Sequence, residues 1–306
     1  MTPLPVLYED NHLIAVNKAP SDIVQGDATG DVTLADRVAA YLKEKYGKPG
    51  NAFVGVAHRL DRPVSGVVVF ARTGKSLARL NALFREGGVR KRYWAVVDAR
   101  PPKDADDLVH WITRNGEQNK SYAAPRPVPG AREARLGYTL LATLDRYFLL
   151  EIDLGTGRHH QIRAQLAAIG CRIKGDLKYG AKRSNPGGGI HLHAREVSFE
   201  HPVRKTTLTI TAPPPADPVW DAAVAAMAGS GKRVDARTFV WRWRQRGAPV
   251  EVGLSWPMAA ARDTPLVDAD CPSGPERDRA GPSSPRKMIA CTWSGITTQA
   301  RVSTGA

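Results

Sequence analysis

His58-Arg59-Leu60-Asp61-Arg62-Pro63-Val64-Ser65-Gly66 runs directly into Val67-Val68-Val69-Phe70. One carboxylate stands between two arginines in a turn that ends in Gly. The turn feeds a β-branched and aromatic run, which predicts a buried strand over residues 64–73. An acid flanked by permanent cations is held ionised, because opposite charge favours the charged form. That suits a nucleophile or a base better than a proton donor. A surface ion pair is the plainer reading of any Arg-x-Asp-Arg, and such pairs contribute little. The rest of the chain has to decide between them.

Upstream of this stretch, Leu13-Ile14-Ala15-Val16 reads as a short strand closed by Asn17-Lys18-Ala19-Pro20. From Thr33 a helix is expected, with Leu34, Val38, Tyr41 and Leu42 on one face and Gly47 as its stop. Downstream, Leu77, Leu80 and Phe84 fall at helical spacing before Gly87-Gly88, and residues 91–97 form the next strand. Residues 138–144 and 147–154 flank Asp145-Arg146, a hairpin signal. A helix is expected over 159–169, with Ile162, Leu166 and Ile169 on one face and Gly170 at its end. Val197, Phe199, Leu208 and Ile210 alternate as late strands. Strands dominate and helices are interspersed irregularly. The expected class is therefore α+β, a mostly antiparallel mixed sheet with flanking helices and loops.

The pattern stops at Pro213-Pro214-Pro215. Residues 1–216 are expected to form the catalytic body and 217–228 a terminal helix. Residues 229–306 read as a low-complexity, disordered tail, with seven prolines between Pro249 and Pro285. Within it, Trp241 and Trp243 among Arg242, Arg244 and Arg246 could stack on bases, although an unstructured tail is the simpler reading.

The chain carries a net charge of +14, which favours a polyanionic partner. Cys171, Cys271 and Cys291 show no metal spacing and leave an odd thiol, consistent with a reducing cytoplasm. The N-terminus lacks a basic region followed by an apolar stretch, so no signal peptide is expected. No apolar run approaches the ~18 residues of a membrane span. His159-His160 and His191-Leu192-His193 have no Cys or carboxylate at ligand spacing beside them, so no metal site is expected. His191 and His193 should share one side of a strand. Gly187-Gly188-Gly189 precedes no Lys-Ser/Thr and is a loop, not a phosphate cradle.

Four ordered blocks resemble the RluA-type pseudouridine synthases over about residues 4–212. They are His58-Arg59-Leu60-Asp61; Thr156-Gly157-Arg158-His159-His160-Gln161-Ile162-Arg163 with Gly175-Asp176-Leu177-Lys178-Tyr179-Gly180; Lys91-Arg92-Tyr93; and Val6-Leu7-Tyr8-Glu9-Asp10 through Asn17-Lys18. The resemblance implies Asp61 as the catalytic carboxylate and Arg163 as its ion-pair partner. It places Tyr93 against the target uracil as proton acceptor. His58, Arg59, Arg62, Lys91, Arg158, His160 and Gln161 are the expected RNA-binding set. Thr156 and Gly157 should lead into a helix start whose free N–H groups favour anions. Ala19 and Ser21 depart from the family pattern, in which Pro follows the Lys and a Gly lies nearby, and Val64 replaces a common Thr. Neither change removes a catalytic group.

The implied function is isomerisation of uridine in ribosomal or transfer RNA, without cofactor or metal, by a cytoplasmic monomer needing no protein partner. With few residues before Tyr8, no N-terminal S4 domain is expected. Two other classes remain: an inactive RNA-binding protein of the same fold, and a glycosidase-like hydrolase using Asp61. The second would need a paired carboxylate, and no second acid stands out in the matched blocks as its partner.

Overall fold

The structure is a computed structural model that describes residues 4–26, 30–47 and 49–229. The expected tail beyond Gly229, with Trp241 and Trp243, lies outside them.

One mixed sheet of eleven strands organises the described residues. Its strands are β1 (Val6–Glu9), β2 (Leu13–Lys18), β3 (Gly55–Val56), β4 (Ser65–Ala71), β5 (Val89–Val97), β6 (Ala105–Asn115), β7 (Lys120–Ala124), β8 (Arg132–Thr143), β9 (Phe148–Leu154), β10 (Leu192–Glu200) and β11 (Thr207–Thr211). The path across the sheet is β1-β2-β4-β10-β5-β9-β8-β6-β7, with β3 on β4 and β11 on β10. Every pairing is antiparallel except β4 with β10, where Ser65 lies opposite His193 and Gly66 opposite Ala194. The α+β expectation stands.

Four helices complete the body: α1 (Leu34–Lys45), α2 (Gly74–Arg85), α3 (Gln161–Ala168) and α4 (Pro218–Gly229). Helix α1 starts where a capping box allows it. The Thr33 hydroxyl accepts from Asp36 N–H, and the Asp36 carboxylate accepts from Thr33 N–H. Leu34, Val38 and Leu42 then fall on one buried stripe. Helix α2 is capped by Thr73, whose hydroxyl accepts from Ser76 N–H.

Alternation along the strands sends side chains to both faces. Ile14, Val16, Val68, Phe70 and Ala95 pack in one cluster with Leu34, Val38 and Leu42 of α1 and Ile162 and Leu166 of α3. Leu13, Ala15, Val67 and Val69 pack in another with Leu80 of α2. Trp94, Val96, Leu141 and Leu149 meet Trp220 and Ala223 of α4. Helix α4 therefore belongs to the body. Strand β4 is buried along its whole length, as its unbroken apolar run suggests.

Gly66 has φ +118, and a Cβ there would sit 2.3 Å from the Ala194 carbonyl oxygen. Only glycine lets β10 approach so closely where the loop carrying Asp61 becomes β4. Strands β6 and β7, missing from the sequence reading as the two-residue β3 is, form the far edge of the sheet.

Candidate active site

Asp61 lies in the irregular segment between β3 and β4. Its fold comes from one buried lysine. Lys18, at the end of β2, is 1% exposed. Its ammonium donates to the carbonyls of Ala19 (3.0 Å), Arg62 (3.0 Å) and Val64 (2.7 Å). The Arg62 and Val64 contacts tie the loop immediately after Asp61 to the end of β2. Burial pulls the Lys18 pKa down to about 8, against the attraction of Asp22 and Asp61. Nearby, Ser21 adopts φ +77. The residue standing where the family pattern favours Gly thus keeps the left-handed backbone that a Gly would accept freely.

The carboxylate's charge partner comes from α3. Arg163 Nη1 donates to Asp61 Oδ2 at 3.1 Å. The other arm of the guanidinium is locked from behind: Nε donates to Asp176 Oδ2 at 2.7 Å and Nη2 to Asp176 Oδ1 at 2.8 Å. Asp176 is 1% exposed, and the Tyr179 ring lies against the guanidinium, 5.0 Å from centroid to Cζ. Arg163 is thereby a planar fork held between two carboxylates. Arg163, the partner that the resemblance implies, makes this contact, and the chain neighbours of Asp61 do not. Arg62 turns away to Asp31 at 3.1 Å, on the exposed surface.

A cavity of about 610 Å³ opens at Asp61, within the usual size range of small-molecule sites. Arg59, Arg85, Lys91, Tyr93, Arg158 and Leu192 are among its lining residues. Among the described lining residues Asp61 is the one carboxylate. Burial lowers the pKa of the Lys91 ammonium. Burial, reinforced by the Asp61 charge, pushes the Tyr93 hydroxyl well above its ordinary value, so the phenol is neutral.

The expected RNA-binding set divides. Arg59, Lys91 and Arg158 line the cavity, and Arg59 and Arg158 are exposed. Arg62 is not among the lining residues. His58 is a wall residue: its Nε2 accepts from Val69 N–H at 2.9 Å, its ring stacks on Phe84, and burial holds its pKa down to about 4. Gln161 is buried and ties the preceding turn together. It accepts from the Thr156 hydroxyl (2.7 Å) and Arg158 N–H (3.0 Å) and donates to the Arg135 carbonyl (3.0 Å). Those bonds also narrow the expected anion site. The N–H groups of Gly155 and Thr156 go to the Arg135 carbonyl, so the turn before α3 does not offer them to a phosphate. His160 is 8% exposed and, like Gln161, contributes to the cavity wall. His191 and His193 do share a side, against Trp220, where His191 meets Asp217 at 2.8 Å and His193 meets the Ser65 hydroxyl at 2.9 Å, a structural role. Among the described residues no cluster of ligating side chains could hold a metal ion, and no helix is long and apolar enough to cross a membrane.

In the sequence, Asp176, Tyr179 and Lys18 stand in motifs that assign them no role. Only their three-dimensional partners reveal what they do.

Comparison with known proteins agrees with this geometry. The model of the RNA pseudouridylate synthase family matches residues 12–168. An uncharacterized RNA pseudouridine synthase of Synechocystis is 33% identical over 222 residues, covering 70% of this chain and 66% of that protein. The ribosomal large subunit pseudouridine synthase D of Zymomonas mobilis is 31% identical, covering 70% of each chain. Among solved structures, human RNA pseudouridylate synthase domain containing 4 superposes with a TM-score of 0.62 at 23% identity, covering 73% of this chain and 93% of that one. That likeness concerns the fold. Matched in sequence across both the Asp61 and the Arg163 segments, the chain belongs to the RNA pseudouridylate synthase family, isomerases that convert uridine to pseudouridine in RNA.

Proposed function

We propose that this chain isomerises uridines of structured ribosomal RNA to pseudouridine, with Asp61 as the catalytic carboxylate. The observation that carries this is the Asp61–Arg163 pair at 3.1 Å in a cavity with Tyr93 and Lys91 on its wall. The names of relatives such as the Zymomonas and Xylella large-subunit synthases favour ribosomal over transfer RNA.

The reaction breaks the bond from ribose C1′ to uracil N1, forms one from C1′ to C5, and moves the C5 proton away while N1 gains one. The target is stacked in RNA, so the nucleotide must flip into the cavity. Asp61 acts on the ribose as nucleophile or base. Arg163 orients the carboxylate from 3.1 Å. Tyr93 is a neutral phenol, so to take the C5 proton it must pass its own onward to a carboxylate or water. Arg59, Lys91 and Arg158 meet phosphates. We assign the cell compartment as the cytoplasm and the active form as a monomer, from the odd, unspaced cysteines and a site built within one chain.

A hydrolase reading is disfavoured because such enzymes pair two carboxylates across the substrate. Asp176 is the nearest second acid in this network, and both its oxygens are bound to Arg163. The test is an in vitro transcript of large-subunit ribosomal RNA incubated with the parent chain and with Asp61→Asn. Pseudouridine from the parent and none from the variant, at equal RNA affinity, is expected. Released uracil, or activity of the variant within tenfold of the parent, would overturn the reading.

A further inference from the structure

His160 stands in the turn before α3 with no part in the catalytic assignment, and its conformation is costly. It sits immediately before α3 with φ +54 and ψ +24, in the left-handed region. A histidine there costs about 1–2 kcal/mol relative to ordinary backbone. It makes no side-chain cap for the helix. The strained backbone instead folds the ring back beneath Asp61.

There the ring is enclosed. Nε2 lies 3.5 Å from Asp61 Oδ2, and Nδ1 lies 3.1 Å from the Tyr179 hydroxyl. His159 stacks on one face, with centroids 3.8 Å apart. Tyr179 is itself fixed, because its hydroxyl meets both the N–H and the carbonyl of Ser121, at 2.9 and 3.0 Å. A carboxylate facing Nε2 favours the tautomer with its proton on Nε2. Nδ1 is then an acceptor, and the single tyrosine proton, with the Ser121 carbonyl at 3.0 Å and Nδ1 at 3.1 Å as its two acceptors, turns to Nδ1 while the hydroxyl oxygen still accepts from Ser121 N–H. Burial and the Arg163 charge drive the His160 pKa down to about 2, so the ring is neutral at any working pH and acts through direction, not charge. Both Nη1 of Arg163 and Nε2 of His160 address the same oxygen, Oδ2.

We propose that His160 is a positioning residue for the isomerisation: held by Tyr179, it donates from Nε2 to Asp61 Oδ2 and so leaves Oδ1 as the reacting oxygen. The 3.5 Å separation is long for a formed hydrogen bond. Such catalytic contacts often tighten only when substrate is bound. The inference rests on the reading of Asp61 as the catalytic carboxylate.

The experiment measures single-turnover rates on the ribosomal transcript with saturating enzyme, together with RNA affinity and thermal transition. Parent activity is the control, and its absence would count against the functional reading itself. With the parent active, His160→Gly removes the ring and relieves the backbone. Its rate should fall about 10²-fold, the scale for a small misplacement of a reacting group. RNA affinity and the thermal transition should stay near the parent's, and added imidazole should restore the rate in a saturable way. Tyr179→Phe keeps the ring against Arg163 and removes the hydroxyl. It should slow the parent measurably and leave His160→Gly unchanged, since coupled residues are not additive. If His160→Gly does not fold, His160→Asn, which tolerates the same backbone, and Tyr179→Phe carry the test alone. A rate within threefold of the parent for the His160 variant, or full additivity of the two substitutions, would overturn the proposal.

Discussion

Arg163→Lys isolates what the planar fork contributes, because it keeps the charge and changes the geometry. Arg163 makes three charge-assisted contacts, at 2.7 and 2.8 Å to Asp176 and 3.1 Å to Asp61. A lysine ammonium is a compact donor on a shorter reach and can serve one carboxylate well. Two of the three bonds are then lost. At about 1.5–3 kcal/mol for a hydrogen bond to a charged group, the loss is about 3–6 kcal/mol. The retained charge places the expected cost near the lower end, about 3 kcal/mol. A domain is stable by about 5–15 kcal/mol, so the variant should fold while its urea midpoint drops by roughly 1–2 M at a slope of about 2 kcal/mol/M. Asp61→Asn is the internal control. Asp61's side chain is 30% exposed and makes one of the three bonds, so its loss should cost about 1 kcal/mol or less. Equilibrium urea unfolding of both variants decides the matter. An Arg163→Lys cost under 1 kcal/mol, or equal to that of Asp61→Asn, would refute the argument that Asp176 and Asp61 divide one fork.

Tyr93→Phe should slow single-turnover isomerisation by roughly 10²–10⁴, the usual contribution of a positioned acid or base. RNA affinity should barely move, and a Phe variant as fast as the parent would leave Tyr93 a packing role. Acid should destabilise the body in a defined window. His58 and His193 have their pKa values held down to about 4, chiefly by burial, against about 6.5 unfolded. Between those values the unfolded chain binds more protons than the folded one, so stability falls as pH drops from about 6.5 to about 4; an unchanged urea midpoint between pH 7 and pH 4.5 would contradict it. Ser21→Gly should raise stability by about 1 kcal/mol by relieving the φ +77 backbone, and a lower thermal transition would show that the serine side chain outweighs the strain.

Much of the architecture was legible because local signals agreed. The helix expected from Thr33 is α1, and the spacing of Leu34, Val38 and Leu42 gives its buried stripe. The unbroken apolar run after Gly66 reads as a strand covered on both sides. Strands β6 and β7 escaped because their alternation is masked. Leu108, His110 and Ile112 point inward, yet the opposite face carries Val109 and Trp111, so polarity does not mark the two sides. At the site, adjacency misled. Arg62 is next to Asp61 in the chain and binds Asp31, whereas Arg163 is 102 positions away and binds Asp61. No period or spacing connects such residues, and only the family resemblance paired them. Asp176, Tyr179 and Lys18 act on groups distant in the chain, so their roles follow from the fold alone.

The place of β10 at the centre of the sheet has a consequence for how the chain is made. Strands β4 and β5 are successive in the chain, separated by α2, yet they flank β10 and do not pair with each other. During synthesis both emerge long before Leu192–Glu200. Until that segment arrives, each presents an open apolar edge to the cell, the kind of surface that recruits foreign strands. Joining segments so remote in sequence is slow. Closure is also what seats Gly66 against Ala194, so the loop bearing Asp61 takes its final form only at this last step. A nascent or truncated chain that stops short of β10 is therefore both inactive and prone to aggregate, and its need for chaperones is concentrated in that interval.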